Sequence, residues 1–95
     1  MQIKLDKKFE INFHLILEYI SKDKLSASKE FRKDLFEQIK NLPNYPYKFR
    51  KSFYFNDEEI RDMTFKKYTI IYEVDLNNNS IIILNIFNKN KPSSR

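Results

Sequence analysis

The chain contains no cysteine, which removes disulfide frameworks and thiolate-based zinc sites and makes an intracellular, cytoplasmic location the simplest expectation. It contains no glycine either, so the glycine-built phosphate cradles, the P-loop and the dinucleotide fingerprint, are excluded. A nucleotide-dependent enzyme of a familiar kind is therefore not expected. Long hydrophobic runs are missing as well. The longest, Ile81 to Leu84, is far too short to span a bilayer, and Met1 to Asp6 lacks the apolar core of a secretory leader. No membrane partner is expected. The seven serines sit in no nucleophile motif such as G-x-S-x-G, and a hydrolase triad would have to use the single histidine, His14.

What the chain does have is length for one domain, 95 residues, and a core supply of 41% hydrophobic residues that includes nine Phe and six Tyr. So short a chain exposes much of its surface and is expected to be marginally stable by itself. A partner that binds only the folded state would add to that stability. The net charge of +5 and pI near 9.4 favour anionic partners: nucleic acid, an acidic protein segment or a membrane surface.

Periodicity gives the order of elements. Gln2 to Asp6 alternates, with Ile3 and Leu5 on one face, and reads as a short strand. Phe9, Phe13, Ile16, Leu17 and Ile20 recur at helical spacing and predict a helix over Lys7 to Lys22, with Lys22-Asp23-Lys24 as a polar break. A second helix is predicted over Ser26 to Leu42, capped by Ser26 and striped by Ala27, Phe31, Leu35, Phe36, Ile39 and Leu42. Pro43 ends it, because proline cannot donate to the helical ladder.

After an irregular stretch from Asn44 to Asp57, three strands are predicted: Glu59 to Phe65, Lys67 to Asp75 and Ser80 to Asn88. The turn Asp75 to Asn79 must form without glycine, and asparagine is the best substitute. Ile81 to Phe87 is apolar on both faces, so that strand is expected to be central and covered on both sides. The expected architecture is a single α+β domain, residues 1–95, of order β-α-α-β-β-β, with a helical hairpin packed on an antiparallel sheet. Residues 89–95 read as a flexible basic tail.

Several constellations admit two readings from the residues alone. Glu10, His14 and Glu18 share one helix face and suggest a metal site or, far more simply, a solvated stripe; no metal and no cofactor is expected. Lys48, Arg50 and Lys51 lie among Tyr45, Tyr47, Phe49 and Phe53. They form either a nucleic-acid platform or a loop whose aromatics pin it to the core, and the anchoring reading is preferred for most of the rings. Lys89, Lys91 and Arg95 read as a solvated charge run or as part of a binding surface.

The segments Ile60-Arg61-Asp62-Met63, Tyr68 to Asp75 and Ile82 to Asn88 resemble the C-terminal half of RelE/ParE-superfamily toxins. Leu17, Tyr19-Ile20, Ala27, Phe31, Leu35, Ile39 and Leu42-Pro43 are similar to that superfamily's helical hairpin, and the likeness runs from about Ile3 to Lys91. It implies the toxin of a type II toxin–antitoxin system, a growth inhibitor and plasmid stabiliser neutralised by a cognate acidic antitoxin, with operator DNA reached only through the antitoxin.

Two activities occur in the superfamily, cleavage of messenger RNA on the ribosome and poisoning of DNA gyrase. The chain departs from the ribonuclease pattern. Thr64 stands where those members usually carry an arginine, and Asn88 to Arg95 contains neither tyrosine nor histidine. Phosphodiester cleavage needs an acid, a base and cations, and here only the cations Arg50, Arg61, Lys89 and Lys91 are evident.

The expectation is therefore a ParE-like gyrase inhibitor that uses Arg50, Lys51, Arg61, Asn88, Lys89 and Lys91 toward target or antitoxin. The alternatives are a ribosome-dependent mRNA interferase using Arg50, Arg61 and Lys89, or a basic nucleic-acid-binding module without toxicity. Arg61 either projects from an open sheet face toward a partner or pairs with a carboxylate such as Glu59 or Asp62.

Overall fold

The computed structural model describes residues 1–89. Strand β1, Gln2–Leu5, leads directly into helix α1, Lys7–Asp23, whose N-terminus is capped by Asp6: the carboxylate accepts from the Lys8 amide at 3.0 Å. Helix α2 is Leu25–Asn41, one residue longer at the start than the pattern suggests. Lys24 alone joins the two helices in an extended conformation (φ −160°, ψ 118°). Its amide donates to the Ile20 carbonyl, and its own carbonyl accepts from Ala27 and Ser28. No side chain caps α2, so the expected cap at Ser26 is corrected. Backbone groups of Lys24 take over that work, and of the three residues expected as a break Lys22 and Asp23 continue α1 while Lys24 alone breaks it. The polar residue that matters here is Ser28, buried against α1, with its hydroxyl donating to the Leu17 carbonyl at 3.1 Å.

The hairpin closes on aromatic contacts. Phe9 and Phe13 stack at 5.3 Å, Phe36 meets both edge-on, and Phe31 reaches across to Phe65 and Tyr68 of the sheet. Leu35 and Ile39 are fully buried behind them. The 3-10 turn Leu42–Asn44, with Pro43 inside it, ends the helical run where the sequence stops it.

Strands β2 (Ile60–Phe65), β3 (Tyr68–Asp75) and β4 (Ser80–Asn88) form the expected meander, and the sheet order is β1-β4-β3-β2. The sheet is mixed rather than wholly antiparallel, since β1 pairs parallel to β4 from Gln2–Ser80 to Leu5–Ile83. A parallel pair requires a long crossover, which the two helices and the meander together supply. Both left-handed residues serve turns in this glycine-free chain: Asn79 (φ 50°) before β4 and Lys66 (φ 55°) between β2 and β3.

A bulge in β4 decides which of its side chains face the helices. Ile71 pairs with Asn85 but the next residue, Tyr72, pairs with Ile83, so one residue is extra and the alternation changes phase. As a result Ile81, Ile83 and Ile86 all join the core with the helices. Leu84 is the extra residue, and Asn85 flanks it. The Asn85 side-chain oxygen accepts from the Ile86 amide at 2.8 Å and from the Asn12 side chain of α1 at 2.7 Å. The other sheet face carries a smaller cluster of Ile60, Ile71 and Phe87 with Leu84, and the Tyr54 ring packs edge-on against Phe87 at 5.1 Å. The strand is central, between β1 and β3, but its second face is covered only in part, with Phe87 buried and Ile82 and Leu84 half-buried.

Candidate functional site

The loop between the 3-10 turn and β2 is held by its main chain. Arg50 to Ser52 lie alongside β2 as a short edge segment: the Ser52 amide donates to the Ile60 carbonyl at 2.8 Å and the Asp62 amide to the Arg50 carbonyl at 3.1 Å. Beneath it, Asp62 is 2% exposed. One of its oxygens accepts from the Arg50 guanidinium and from the Phe53 amide, each at 3.0 Å, while the other has no partner among the described residues. The Arg50 guanidinium in turn lies 3.5 Å above the Phe53 ring. At the other end of the loop, Tyr72 donates its hydroxyl to the Pro46 carbonyl at 2.7 Å. Burial pushes the Tyr72 pKa up to about 12, which keeps that donor protonated.

Arg61 pairs with Tyr72 across the ladder and therefore shares the helix-side face of the sheet. It does not project from the other face, as one reading of the sequence had it. Its guanidinium donates to the Glu58 carbonyl at 2.9 Å and the Phe49 carbonyl at 3.1 Å, approaches the Glu58 carboxylate at 3.8 Å and lies 4.8 Å from the Tyr47 ring. The carboxylate it meets is Glu58, not Glu59 or Asp62. Glu59 instead accepts from the Tyr47 hydroxyl, and that bond, more than burial, raises the Tyr47 pKa. Lys51 reaches Glu58 at 3.4 Å.

These anchors overturn the reading of the loop aromatics as core pins. Of the four rings singled out by sequence, only Phe49 packs on the core; Tyr45 and Phe53 are 71% and 78% exposed, and Tyr47 is 40% exposed. Backbone pairing, Asp62, Arg61 and Tyr72 do the anchoring, which leaves the rings to solvent.

Lys51 and Arg61 share Glu58, but the three cations of the ribonuclease reading, Arg50, Arg61 and Lys89, do not converge. Arg50 sits with Asp62, which pairs with Ile71 and so belongs to the sheet face away from the helices; Arg61 lies on the opposite face. Lys89 follows the pair Asn88–Tyr68, at the far end of β3 from the pair Arg61–Tyr72. At about 3.3 Å per residue that is roughly 13 Å along the strands, plus two strand spacings across. Lys91 lies outside the described residues. Away from these cations, His14 meets Glu18 at 3.1 Å on an exposed face of α1.

A second surface lies at the Lys89 end. A groove of about 330 Å³ opens between α1 and the sheet, lined by Leu15, Ile16, Tyr19, Tyr68, Ile86 and Asn88 among others. Leu15 and Tyr19 are more than half exposed. Burial, then the neighbouring Tyr19, raises the Tyr68 pKa. The Lys66-Lys67 turn borders this end: the Lys89 amide donates to the Lys67 carbonyl, and Lys66 lies 5.9 Å from the Phe31 ring of α2. Lys29, Arg32 and Lys33 follow along α2. Among the described residues none of these six cations pairs with a carboxylate. The opposite sign gathers around Glu73, whose pKa is raised by burial and then by Asp75, Asp57 and Glu59.

Asp62, Tyr54, Phe55 and the Lys66-Lys67 turn were not singled out from sequence as a site. A signal existed for all but the Lys66-Lys67 turn. Asp62 falls in phase with the buried Ile60, and six aromatics crowd into residues 45–55.

A family model described as the ParE toxin of the type II toxin–antitoxin system parDE matches residues 3–91. A solved structure titled as the chromosomal ParDE toxin–antitoxin system from P. aeruginosa is similar with a TM-score of 0.73 and 19% identity, over 93% of this chain and 95% of that one. At that identity the likeness speaks for the fold. No curated protein matches the chain.

Proposed function

The chain belongs to the ParE toxin family of type II toxin–antitoxin systems, and from that premise we propose that it arrests bacterial growth in the cytoplasm by binding DNA gyrase without chemistry of its own. A cognate acidic antitoxin neutralises it. The observation that carries this reading over ribonuclease action is the scatter of the cations. Strand cleavage needs charge gathered on one phosphate beside an acid and a base, whereas Arg50 and Arg61 occupy opposite sheet faces and Lys89 the far end. Arg50, Lys51 and Arg61 act on the target side by holding the loop that meets it.

Asn88 and Lys89, with Lys91 beyond them, belong to the antitoxin side. The apolar groove at Asn88, bordered by unpaired cations, suits an acidic segment with apolar anchors. Operator DNA is reached only through the antitoxin.

Tightly regulated expression, with and without the small protein encoded beside the gene, tests the reading. Growth arrest relieved by that protein is expected, together with inhibited supercoiling by purified gyrase and intact transcripts on translating ribosomes. Cut transcripts with active gyrase would establish the mRNA interferase instead.

A further inference from the structure

The loop from Tyr45 to Asn56 presents aromatic rings that the fold leaves largely outside. Tyr45 and Phe53 are 71% and 78% exposed, and Tyr47, Tyr54 and Phe55 are 40%, 44% and 44% exposed. At roughly 200 Å² per aromatic residue the five offer about 550 Å² of surface. That approaches the roughly 800 Å² that one partner contributes to a standard protein–protein interface. The rings fall in two groups along the edge of the sheet, Tyr47 with Arg61 toward the helix side, and Phe53 and Tyr54 with Arg50 and Phe87 toward the other face.

The rings are presented rigidly. Arg50 to Ser52 are paired to β2, Asp62 accepts from the Phe53 amide, Ser52 accepts from the Tyr54 amide, and Tyr72 holds Pro46. Ordering this surface on binding therefore costs little conformational entropy. Guanidinium groups already lie over Phe53 and Tyr47, the combination of arginine with aromatic rings that is enriched at interface hot spots.

Charge decides the class of partner. Residues 45–56 carry Lys48, Arg50 and Lys51 and no acidic residue, but Arg50 pairs with Asp62 and Lys51 with Glu58, so Lys48 is the one loop cation without a carboxylate partner among the described residues. Nucleic acid is held chiefly by cations neutralising phosphates. A surface with one uncompensated cation offers little of that attraction, whereas Lys66, Lys67 and Lys89, none of them paired with a carboxylate among the described residues, lie together elsewhere. The hydroxyls of Tyr45 and Tyr54 have no partner among the described residues, so they are available as donors.

We propose that the aromatic loop, residues 45–56, is the surface by which this chain engages a folded protein target. Tyr45 and Phe53 enter an apolar cleft whose rim accepts hydrogen bonds, and the surface is separate from the groove beside α1. The inference rests on the reading of the chain as a growth-arresting toxin, but not on the identity of its target.

The test compares the unaltered chain with Tyr45→Ala and with Tyr45→Ala/Phe53→Ala. The readouts are growth arrest, thermal melting, affinity for the antitoxin, supercoiling by purified gyrase and binding of a single-stranded RNA oligonucleotide. The single variant guards against misfolding, since the Tyr45 ring makes no ring contact in the fold. Expected is loss of arrest and at least tenfold weaker action on the target, with antitoxin affinity unchanged in both variants and melting unchanged in Tyr45→Ala.

Lost arrest in the variants while gyrase is unaffected even by the unaltered chain would remove gyrase and keep the docking surface. Retained arrest overturns the surface. So does a parallel loss of antitoxin affinity, which would give the loop to the antitoxin, or RNA binding that the variants abolish. No arrest by the unaltered chain overturns both this inference and the reading beneath it.

Discussion

Asp62 is a buried carboxylate held from one side, and that asymmetry sets what its neighbours are worth. Arg50 is 41% exposed along its side chain, which for an ordinary surface pair would leave its bond to a carboxylate nearly worthless. Its partner is wholly buried, however, and one carboxylate oxygen already lacks a donor. Removing the guanidinium strands a charge that water cannot reach. Arg50→Ala is therefore expected to destabilise the fold by about 2–4 kcal/mol in urea unfolding. Adding Asp62→Asn should recover part of that loss, because the stranded group is then neutral. If the double variant is no more stable than Arg50→Ala alone, the charge of Asp62 is not what Arg50 satisfies.

At the scale of elements the bulge in β4 governs the core. Without the extra residue, the alternation that places Ile81 and Ile83 under the helices would turn Ile86 away from them. The Asn85 side chain makes the bulge tolerable by accepting the Ile86 amide and tying the strand to Asn12 of α1. Asn85→Ala should cost about 1–2 kcal/mol. It should also selectively lower the hydrogen-exchange protection of the Ile86 amide. A uniform loss across β4 would show that the bulge needs no side-chain support.

This element was partly legible in the sequence. The apolar run Ile81 to Phe87 announces a strand covered on both faces, and the helical stripes through Phe9, Phe13, Phe31, Leu35 and Ile39 announce the hairpin. The bulge, the parallel pairing of β1 and the edge segment Arg50 to Ser52 were not legible. They depend on backbone pairing between residues far apart, and no local pattern records it. The candidate site divided along the same line. Arginine and aromatic residues could be counted in the loop, but whether they anchor it or face outward was decided by Asp62 and Tyr72, both outside the loop.

Across the whole molecule, charge and apolar exposure are sorted to different places. Lys66, Lys67 and Lys89, with Lys29, Arg32 and Lys33 of α2, form a group without a carboxylate partner among the described residues, while Asp57, Glu59, Glu73 and Asp75 gather at the other end of the sheet. In the aromatic loop between them Arg50 and Lys51 are paired with Asp62 and Glu58. An acidic antitoxin would then be steered by one end, and a protein target met by contact at another. Long-range steering acts on association and is screened within about 10 Å at 0.1 M salt, whereas short-range packing acts mainly on dissociation. Stopped-flow measurement of antitoxin binding should show the association rate falling about tenfold from low to high salt with little change in dissociation. Lys66→Ala/Lys67→Ala should flatten that dependence, and Tyr45→Ala should leave it intact. An association rate indifferent to salt in the unaltered chain would mean that the positive end, despite the net charge of +5, does not face the antitoxin.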